Sequence, residues 1–143
     1  MNMTLDEYNK QLDENMSEEE HQTRLFEELA ILTRTNPMFD LPFHIANGGM
    51  RHKSTAGRMK AAGVKPGVPD IFVPVASYGY HGLFIELKSL KKGVKLSSAQ
   101  INKGYKLAEQ GYAMVVCNGW RSALKTIIKY LPKKESMVTK VTP

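Results

Sequence analysis

The sequence predicts an α/β domain in which a mixed β-sheet is flanked by helices. Two observations indicate this class. Segments with a helical apolar period alternate with short apolar runs, and two of those runs stand close enough to pair as a β-hairpin. The predicted order of elements is α-β-β-β-α-β-α. A chain of 143 residues is long enough for one domain with a single core.

The first long helix is predicted to begin after Ser17, whose hydroxyl can cap a first turn of three glutamates. Glu20 stands at the capping-box position of this helix. The apolar face is formed by Leu25, Phe26, Leu29 and Leu32, and the helix ends before Asn36-Pro37. Residues 1–16 lack a firm periodicity, so we expect a flexible leader that is loose or contains a short helix.

Three strands are predicted next. "LPFHIAN" is a short strand that ends at Gly48-Gly49, and the basic segment after it is an exposed loop with a helical turn near residues 55–62. "DIFVPV" and "LFIELKSL" form a β-hairpin with a long connecting loop. Pro74 inside the first hairpin strand indicates an edge position or a bulge, because proline cannot donate a ladder hydrogen bond.

The last elements are a helix, a strand and a helix. Ser97 is predicted to cap a helix that continues to about Gln110, with Gly111 as the terminating glycine. "YAMVVCN" is predicted to be a buried strand, and "WRSALKTIIKYL" an amphipathic helix that ends at Pro132. We therefore expect one domain over residues 17–132, followed by a disordered tail at 133–143.

The composition excludes several kinds of protein. A single cysteine, Cys117, leaves no internal disulfide and no cysteine-built metal site. No apolar stretch approaches the ~18 residues of a membrane span, and the acidic start resembles neither a secretion signal nor a transit peptide. We therefore expect no membrane association and a cytoplasmic location, which is the host cytoplasm if a phage encodes the chain.

The charge is unevenly distributed along the chain. Residues 1–28 hold nine acidic and two basic residues, whereas residues 29–143 hold 18 basic and five acidic residues, a net charge of +13. Such a positive segment favours a polyanionic partner, most commonly nucleic acid. A well-solvated basic surface is the alternative that charge alone leaves open.

The predicted hairpin gathers three chemically useful side chains. Alternation along "LFIELK" directs Leu83, Ile85 and Leu87 to one face and directs Glu86 and Lys88 to the other. Asp70 begins the partner strand, and antiparallel pairing brings it next to the end of "FIELK". Two carboxylates suit Mg²⁺ or Mn²⁺, which activates a water and offsets charge on a phosphate. Lys88 can orient or deprotonate that water, and a surface Glu86–Lys88 salt bridge is the structural alternative.

The motifs in this region resemble a known family. "GVPD" followed by "IELK" matches the Pro-Asp…Glu-x-Lys pattern of the PD-(D/E)XK nuclease superfamily, and "KPGVPD", "ELK" and "LSSAQ" together resemble virus-type replication-repair nuclease (VRR-NUC) domains. "SEEEHQTRLFEEL" and "FHIANGGMR" continue the similarity, which covers about residues 17–131. The resemblance implies an αβββαβ core of the restriction-endonuclease type and a divalent-metal phosphodiesterase acting on DNA.

The resemblance also implies roles for individual residues. Asp70 and Glu86 would bind the metal together with the carbonyl of Leu87, and Lys88 would act on the water. The family adds a glutamate from its first helix. Helical phase favours Glu18, which shares the inward face of Leu25 and Leu29, and Glu20 is the alternative. Gln100 occupies the family's "LSxxQ" position near the active site, although a capping box with Ser97 also explains it.

Two basic segments flank the proposed site and are expected to hold DNA phosphates without reading bases. The DNA-binding candidates are Asn47, Arg51, Lys53, Arg58, Lys60, Lys65, Lys91, Lys92 and Lys95. The resulting hypothesis is a homodimeric endonuclease for branched DNA, either four-way (Holliday) junctions or flaps, with a role in DNA repair. The alternatives are a non-catalytic DNA-binding protein on a nuclease fold and a sequence-specific restriction-type endonuclease.

Overall fold

The fold is a four-stranded sheet surrounded by five α-helices over the residues that the structure describes. This structure is a computed structural model that describes residues 2–46 and 53–133, and for residues 53–55 it gives the backbone alone. The elements are α1 (Leu5–Asn15), α2 (Glu18–Thr33), a 3-10 turn (Pro37–Asp40), β1 (Phe43–His44), α3 (Lys53–Ala61), β2 (Ile71–Val73), β3 (Leu83–Lys88), α4 (Ser98–Glu109), β4 (Ala113–Asn118) and α5 (Trp120–Tyr130).

The sheet is mixed, with the strand order β1-β2-β3-β4. The first three strands are antiparallel neighbours, whereas β4 runs parallel to β3 and is connected to it through α4. A helix makes this connection because parallel neighbours need a long crossover between them. From α2 onward the predicted order of helices and strands is confirmed, with α3 added where a helical turn was expected.

One face of the sheet forms the core with α2 and α5. Leu83, Ile85 and Leu87 of β3 are buried together with Leu25 of α2 and Ile127 of α5. Burial of these side chains supplies the main driving force for folding. The predicted alternation along β3 is therefore confirmed, since every second residue contributes to this core.

The opposite face of the sheet carries an aromatic cluster beside the candidate site. The rings of Phe72 and Phe84 stack with centroids 4.4 Å apart, and Tyr112 meets Phe84 edge-on at 5.3 Å. These contacts fix β2 against β3 on the face to which Glu86 and Lys88 also belong.

Both predicted helix starts are confirmed, but the reciprocal bond that a Glu20 capping box requires is absent from the described hydrogen bonds of α2. Ser17 Oγ accepts the backbone N–H of Glu20 at 3.1 Å and caps α2. Ser97 and Gln100 form a reciprocal capping box at the start of α4. Each cap satisfies N–H groups that the helix itself leaves unpaired, so the first turns of α2 and α4 are well defined.

Two strand predictions are corrected by the structure. Pro74 lies neither on an edge strand nor in a bulge, because β2 is an interior strand and ends at Val73, one residue earlier. The strand "YAMVVCN" is not buried throughout. As β4 it is an edge strand of the described sheet, and only Cys117 is fully buried, because edge strands have solvent on one side.

The leader contains a helix that contacts the domain. Thr4 and Glu7 form a capping box at the start of α1, a pattern in residues 1–16 that the sequence interpretation did not use. Asp13 is buried, and its two carboxylate oxygens accept the indole N–H of Trp120 at 3.2 Å and Nε–H of Arg121 at 2.6 Å. Of the two forms expected for the leader, the short helix is the one observed.

The remaining expectations concern the membrane and the tail. Across residues 2–46 and 53–133, no helix combines the length and the apolar character needed to cross a bilayer. The predicted disordered tail falls almost wholly on residues 134–143, which lie outside the described residues.

Candidate metal centre

Three carboxylates meet where α2 begins and where β2 and β3 pair. Glu18 is the first residue of α2, Asp70 directly precedes β2, and Glu86 lies in β3. One oxygen from each of the three lies within 4.8 Å of the others. The pairing of Ile71 with Ile85 explains the arrangement, because continuing that antiparallel register by one residue sets Asp70 opposite Glu86. The expected convergence of the hairpin residues is therefore observed.

Asp70 is held in place by the backbone of both neighbouring strands. Its Oδ2 accepts the backbone N–H of Leu87 at 2.8 Å. Its carbonyl oxygen accepts the N–H of Ile45 at 2.7 Å and lies 2.9 Å from Nδ1 of His44. The carboxylate is thus oriented by a group that is itself fixed in the sheet. The role predicted for the carbonyl of Leu87 as a metal ligand stays a prediction.

Glu86 is the most buried member of the cluster, with 2% of its surface exposed. Its Oε1 accepts Nε2–H of Gln100 at 2.7 Å and lies 3.6 Å from Nζ of Lys88. Burial, the nearby charge of Asp70, a hydrogen bond to Asp70 and the charge of Glu18 raise the pKa of Glu86 to about 8, against the opposing effect of Lys88.

Glu18 shares this electrostatic environment, although its side chain is exposed on one side. Burial is the largest cause that raises the pKa of Glu18, and the charge of Asp70 adds to it, while Lys88 lowers it. Among the described residues, three carboxylates therefore face the ammonium group of Lys88. The cluster carries excess negative charge that a bound cation would offset.

The two ends of the Gln100 side-chain amide have different partners, one in the helix cap and one in the carboxylate cluster. Its Oε1 accepts the N–H of Ser97 at 2.8 Å, while its Nε2–H is donated to Glu86. Because the cap needs the oxygen, the donor end must face the carboxylate. The two roles that the sequence left open for Gln100 are therefore both present in its contacts.

The structure separates Glu18 from the other glutamates of α2. Glu20 is exposed, and its backbone N–H supports the Ser17 cap. Glu27 and Glu28 pair with Arg24 at 3.5 Å and 2.8 Å. Among the described acidic side chains, Glu18 alone joins Asp70 and Glu86 in a cluster with metal-ligand spacing. Helical phase had favoured this residue.

Gly67 is a positioning residue that the sequence interpretation missed. Its φ of +77° is in the left-handed region, and a Cβ built there would lie 2.2 Å from the carbonyl oxygen of Ala99. The loop before Asp70 therefore contacts the first turn of α4, which carries Gln100. A glycine inside "KPGVPD" is the available signal for such a close approach.

His44 is a second residue that was missed. It contacts the main chain of Asp70 across 26 positions of sequence, and β1 contains only two residues. A strand this short has no alternation pattern, so no local signal could have identified the contact.

The predicted DNA-binding residues fall into three groups: those that line a cleft beside the cluster, those that are exposed elsewhere, and those that the structure does not describe. Lys60 and Lys65 are exposed and line a cleft together with Asp70 and Gln100. Arg58 is exposed on α3, and an exposed loop after β3 carries three more lysines, which are Lys91, Lys92 and Lys95. Asn47 and Arg51 lie outside the described residues, as does the side chain of Lys53.

The donor set of the cluster fits a hard divalent cation. Mg²⁺ binds carboxylate oxygens at about 2.1 Å, so oxygens on opposite sides of the ion stand about 4.2 Å apart. Adjacent oxygens around such an ion stand about 3 Å apart, so three carboxylate oxygens that lie within 4.8 Å of one another could share one ion after moving inward. Oxygen ligands without sulfur or imidazole are typical of Mg²⁺ and Mn²⁺ sites.

Comparisons with known proteins identify the family of this domain. The VRR-NUC domain model matches residues 12–121. A solved structure named "VRR_NUC domain protein" is 30% identical to this chain, with a TM-score of 0.68, and the alignment covers 82% of this chain and 89% of that one. Among curated proteins, none gives a significant match.

Proposed function

The chain belongs to the VRR-NUC domain family, whose members are nucleases of the PD-(D/E)XK type, and we propose that it is a metal-dependent, structure-selective endonuclease that cuts branched DNA. The single observation that carries this proposal is the carboxylate cluster of Glu18, Asp70 and Glu86, with Lys88 beside it. Its substrates would be four-way junctions or flaps, which fits a role in DNA repair.

In this proposal Glu18, Asp70 and Glu86 hold Mg²⁺ or Mn²⁺, with the carbonyl of Leu87 as a further ligand. Such an ion would activate water for attack on phosphorus and stabilise the negative charge that develops on the phosphate. The N–H of Leu87 keeps the Asp70 carboxylate in a fixed orientation, and Gln100 does the same for Glu86. Both donors fix the orientation of the carboxylates that would hold the ion.

Lys88 acts on the water and on the scissile phosphate. Its side chain is 12% exposed and is therefore accessible to solvent, and its Nζ lies 3.6 Å from Oε1 of Glu86. An ammonium group there can donate to a water and to a phosphate oxygen at once. It offsets charge in a site where partial exclusion of water strengthens electrostatic interactions.

The basic side chains around the cluster would hold the DNA backbone. Lys60 and Lys65 adjoin the cluster through the cleft that they share with Asp70, and exposed lysines follow β3. We assign the same role to the other DNA-binding candidates named above, including those outside the described residues. Contacts of this kind bind phosphate without reading sequence, which favours selection of DNA by its shape.

A homodimer would suit a four-way junction. Two copies related by a two-fold axis present two identical sites, which can cut two strands symmetrically. β4 offers one surface for association, because it is an edge strand and Val116 on it is 42% exposed. Light scattering of the purified protein at several concentrations measures the oligomeric state directly, and a monomer at all of them would contradict the dimer.

The proposal is tested by cleavage of a matched set of junction, flap and linear DNA molecules in Mg²⁺ or Mn²⁺. We expect strand cuts near branch points that need Asp70 and Lys88. Lys88→Ala should lower the rate by roughly 10²–10⁴-fold, as loss of a group acting on the attacking water does. Lys125→Ala on α5 removes the same charge from an exposed side chain that has no described contact with the cluster, and this variant should cleave at the normal rate.

Several outcomes separate the alternatives. Undiminished cleavage by Asp70→Ala protein would contradict the proposal. DNA binding without cleavage in either metal would favour a non-catalytic protein, and discrete fragments from linear duplex would favour a restriction-type enzyme. Comparing Glu18→Gln with Glu20→Gln tests the third ligand, since only the first change should reduce cleavage.

A further inference from the structure

A cleft of about 600 Å³ opens directly beside the carboxylate cluster. Small and apolar residues form much of its wall, and two groups of the candidate site, Asp70 and Gln100, form part of the same lining. The remaining lining residues are Ala56, Gly57, Val64, Pro66, Gly67 and Val68, together with two lysines. Its volume is within the range of about 300–1,000 Å³ that small-molecule sites occupy.

The cleft has an apolar wall and basic side chains at the same time. Lys60 comes from α3 and Lys65 from the loop that follows it, and both are exposed. Asp70 is the only acidic residue among the described lining residues. Such a lining suits a group with a flat apolar body and an attached anion, since the lysines can hold the anion while the wall contacts the body.

A nucleotide has this combination of properties. Base and sugar contact apolar surfaces well, and the phosphates on either side carry the charge. In a duplex the two faces of a base are covered by its neighbours, so a base can enter a cleft only when it is unpaired and unstacked. Because Asp70 belongs both to the cleft and to the carboxylate cluster, an occupant of the cleft would be adjacent to the phosphate that reacts.

We propose that this cleft binds the base and sugar of one unpaired nucleotide next to the scissile phosphate. The inference rests on the proposed function, because it needs a DNA strand at the cluster. It specifies what the enzyme selects at a branch point, which is a strand with an unpaired nucleotide on one side of the cut. A fully paired strand leaves the cleft empty and is cut more slowly.

Gly57 allows the cleft to be filled with little risk to the fold. It lies within α3, and a Cβ added there meets no described atom within 4 Å. Leucine also has a higher helix propensity than glycine, so Gly57→Leu should fold. Ala61→Leu is the matched control, because Ala61 is exposed on the same helix and does not line the cleft.

The first measurement combines this variant with a change in the DNA. Flap substrates are made with a normal unpaired nucleotide or with an abasic nucleotide at each position beside the cut. We expect the wild-type rate to fall about tenfold with the abasic nucleotide at one position, because the apolar surface of the base is then no longer buried against the wall of the cleft. Gly57→Leu should cut the normal flap about tenfold more slowly and should lose little further rate with the abasic flap, because both changes remove the same contact.

The second measurement does not depend on cleavage. 2-Aminopurine, a fluorescent base, replaces the unpaired base, and its emission is followed as protein is added in EDTA. The wild-type protein and Ala61→Leu should change the emission strongly, and Gly57→Leu should not. An equal response from all three proteins, or additive rate losses from the two changes, would overturn the inference.

The two proposals can fail separately. If cleavage is absent or does not need Asp70, the proposed function fails, and the EDTA titration still decides whether a base enters the cleft. If Asp70-dependent cleavage is unaffected by Gly57→Leu and by the abasic nucleotide, the nuclease function is supported and the proposed role of the cleft is wrong.

Discussion

Replacing Glu86 with glutamine should stabilise the metal-free protein at alkaline pH while abolishing its activity. In the folded protein the pKa of Glu86 is raised from 4.5 to about 8. A group whose pKa is raised by folding contributes stability fully at a pH below its unfolded pKa, and this stability is lost as pH rises through the folded pKa. The wild-type protein should therefore lose stability between about pH 4.5 and pH 8, and Glu86→Gln should not.

The size of the effect follows from that interval. Each pKa unit corresponds to 1.36 kcal/mol, so a change from 4.5 to about 8 sets an upper limit of about 4–5 kcal/mol on the stability lost at high pH. The glutamine also gives up the ion pair with Lys88, so we expect a net gain of about 2 kcal/mol at pH 8.5. For a domain of this size that gain raises the melting temperature by roughly 6 °C.

The assay is thermal unfolding in EDTA at pH 5 and at pH 8.5, repeated with excess Mg²⁺. The Glu86→Gln protein should exceed the wild type at pH 8.5 and approach it at pH 5. Mg²⁺ should raise the melting temperature of the wild type but not that of Glu86→Gln, because ion binding requires the ionised carboxylate. Glu20→Gln removes an exposed charge from α2 and should give no such pH-dependent difference.

The reasoning would be refuted by a Glu86→Gln protein that is less stable than the wild type at pH 8.5 in EDTA. In that case the hydrogen bond from Gln100 and the ion pair with Lys88 would outweigh the repulsion among the carboxylates. Equal gains at pH 5 and pH 8.5 would also refute it, because the gain would then be independent of titration.

Two further predictions concern residues that support the site. Gln100→Glu keeps a side chain that can cap α4 but replaces the donor to Glu86, so cleavage should fall about 10–100-fold with helix content unchanged by circular dichroism. Gly67→Ala places a Cβ against the carbonyl of Ala99, so urea unfolding should show a loss of more than the ~1–3 kcal/mol that backbone strain alone costs. Gly63→Ala is the control for strain, because it has a φ of +102° and a Cβ there meets no described atom within 4 Å.

Each of these predictions has a contrary result. Gln100→Glu protein that cleaves at the wild-type rate would show that the cap is the whole role of Gln100. Equal losses for the Gly67 and Gly63 variants would show that the contact with α4 contributes nothing beyond the backbone conformation.

The fold and the centre of the site could be predicted because they depend on local patterns. Alternation in a strand fixes that Glu86 and Lys88 share a face, and hairpin pairing brings Asp70 to them. Helical phase favoured Glu18 in the same way, since three or four residues along a helix return to one face. The caps at Ser17 and Ser97 were predictable because N-capping depends on residues within one turn.

The parts that could not be predicted depend on contacts between distant segments. Asp13 joins α1 to Trp120 across 107 positions, and His44 reaches Asp70 from a strand of two residues. Neither contact has a periodicity that would reveal it. Pro74 was placed inside a strand for a related reason. The strand propensity of neighbouring residues does not show where pairing ends, and the pairing of β2 with β3 ends at Val73.

The proposed metal site would couple folding to metal binding. Its proposed ligands come from the start of α2, the residue before β2 and the middle of β3, so they meet only when the helix packs on the sheet. Without an ion, that packing brings three carboxylates against one ammonium and shifts a buried pKa towards neutrality. With an ion, the same packing would gain ion–ligand interactions and release protons. Conditions that favour the ionised cluster should thus weaken the metal-free fold and strengthen the metal-bound one, so a rise in pH should lower the melting temperature in EDTA and increase the stabilisation that Mg²⁺ provides.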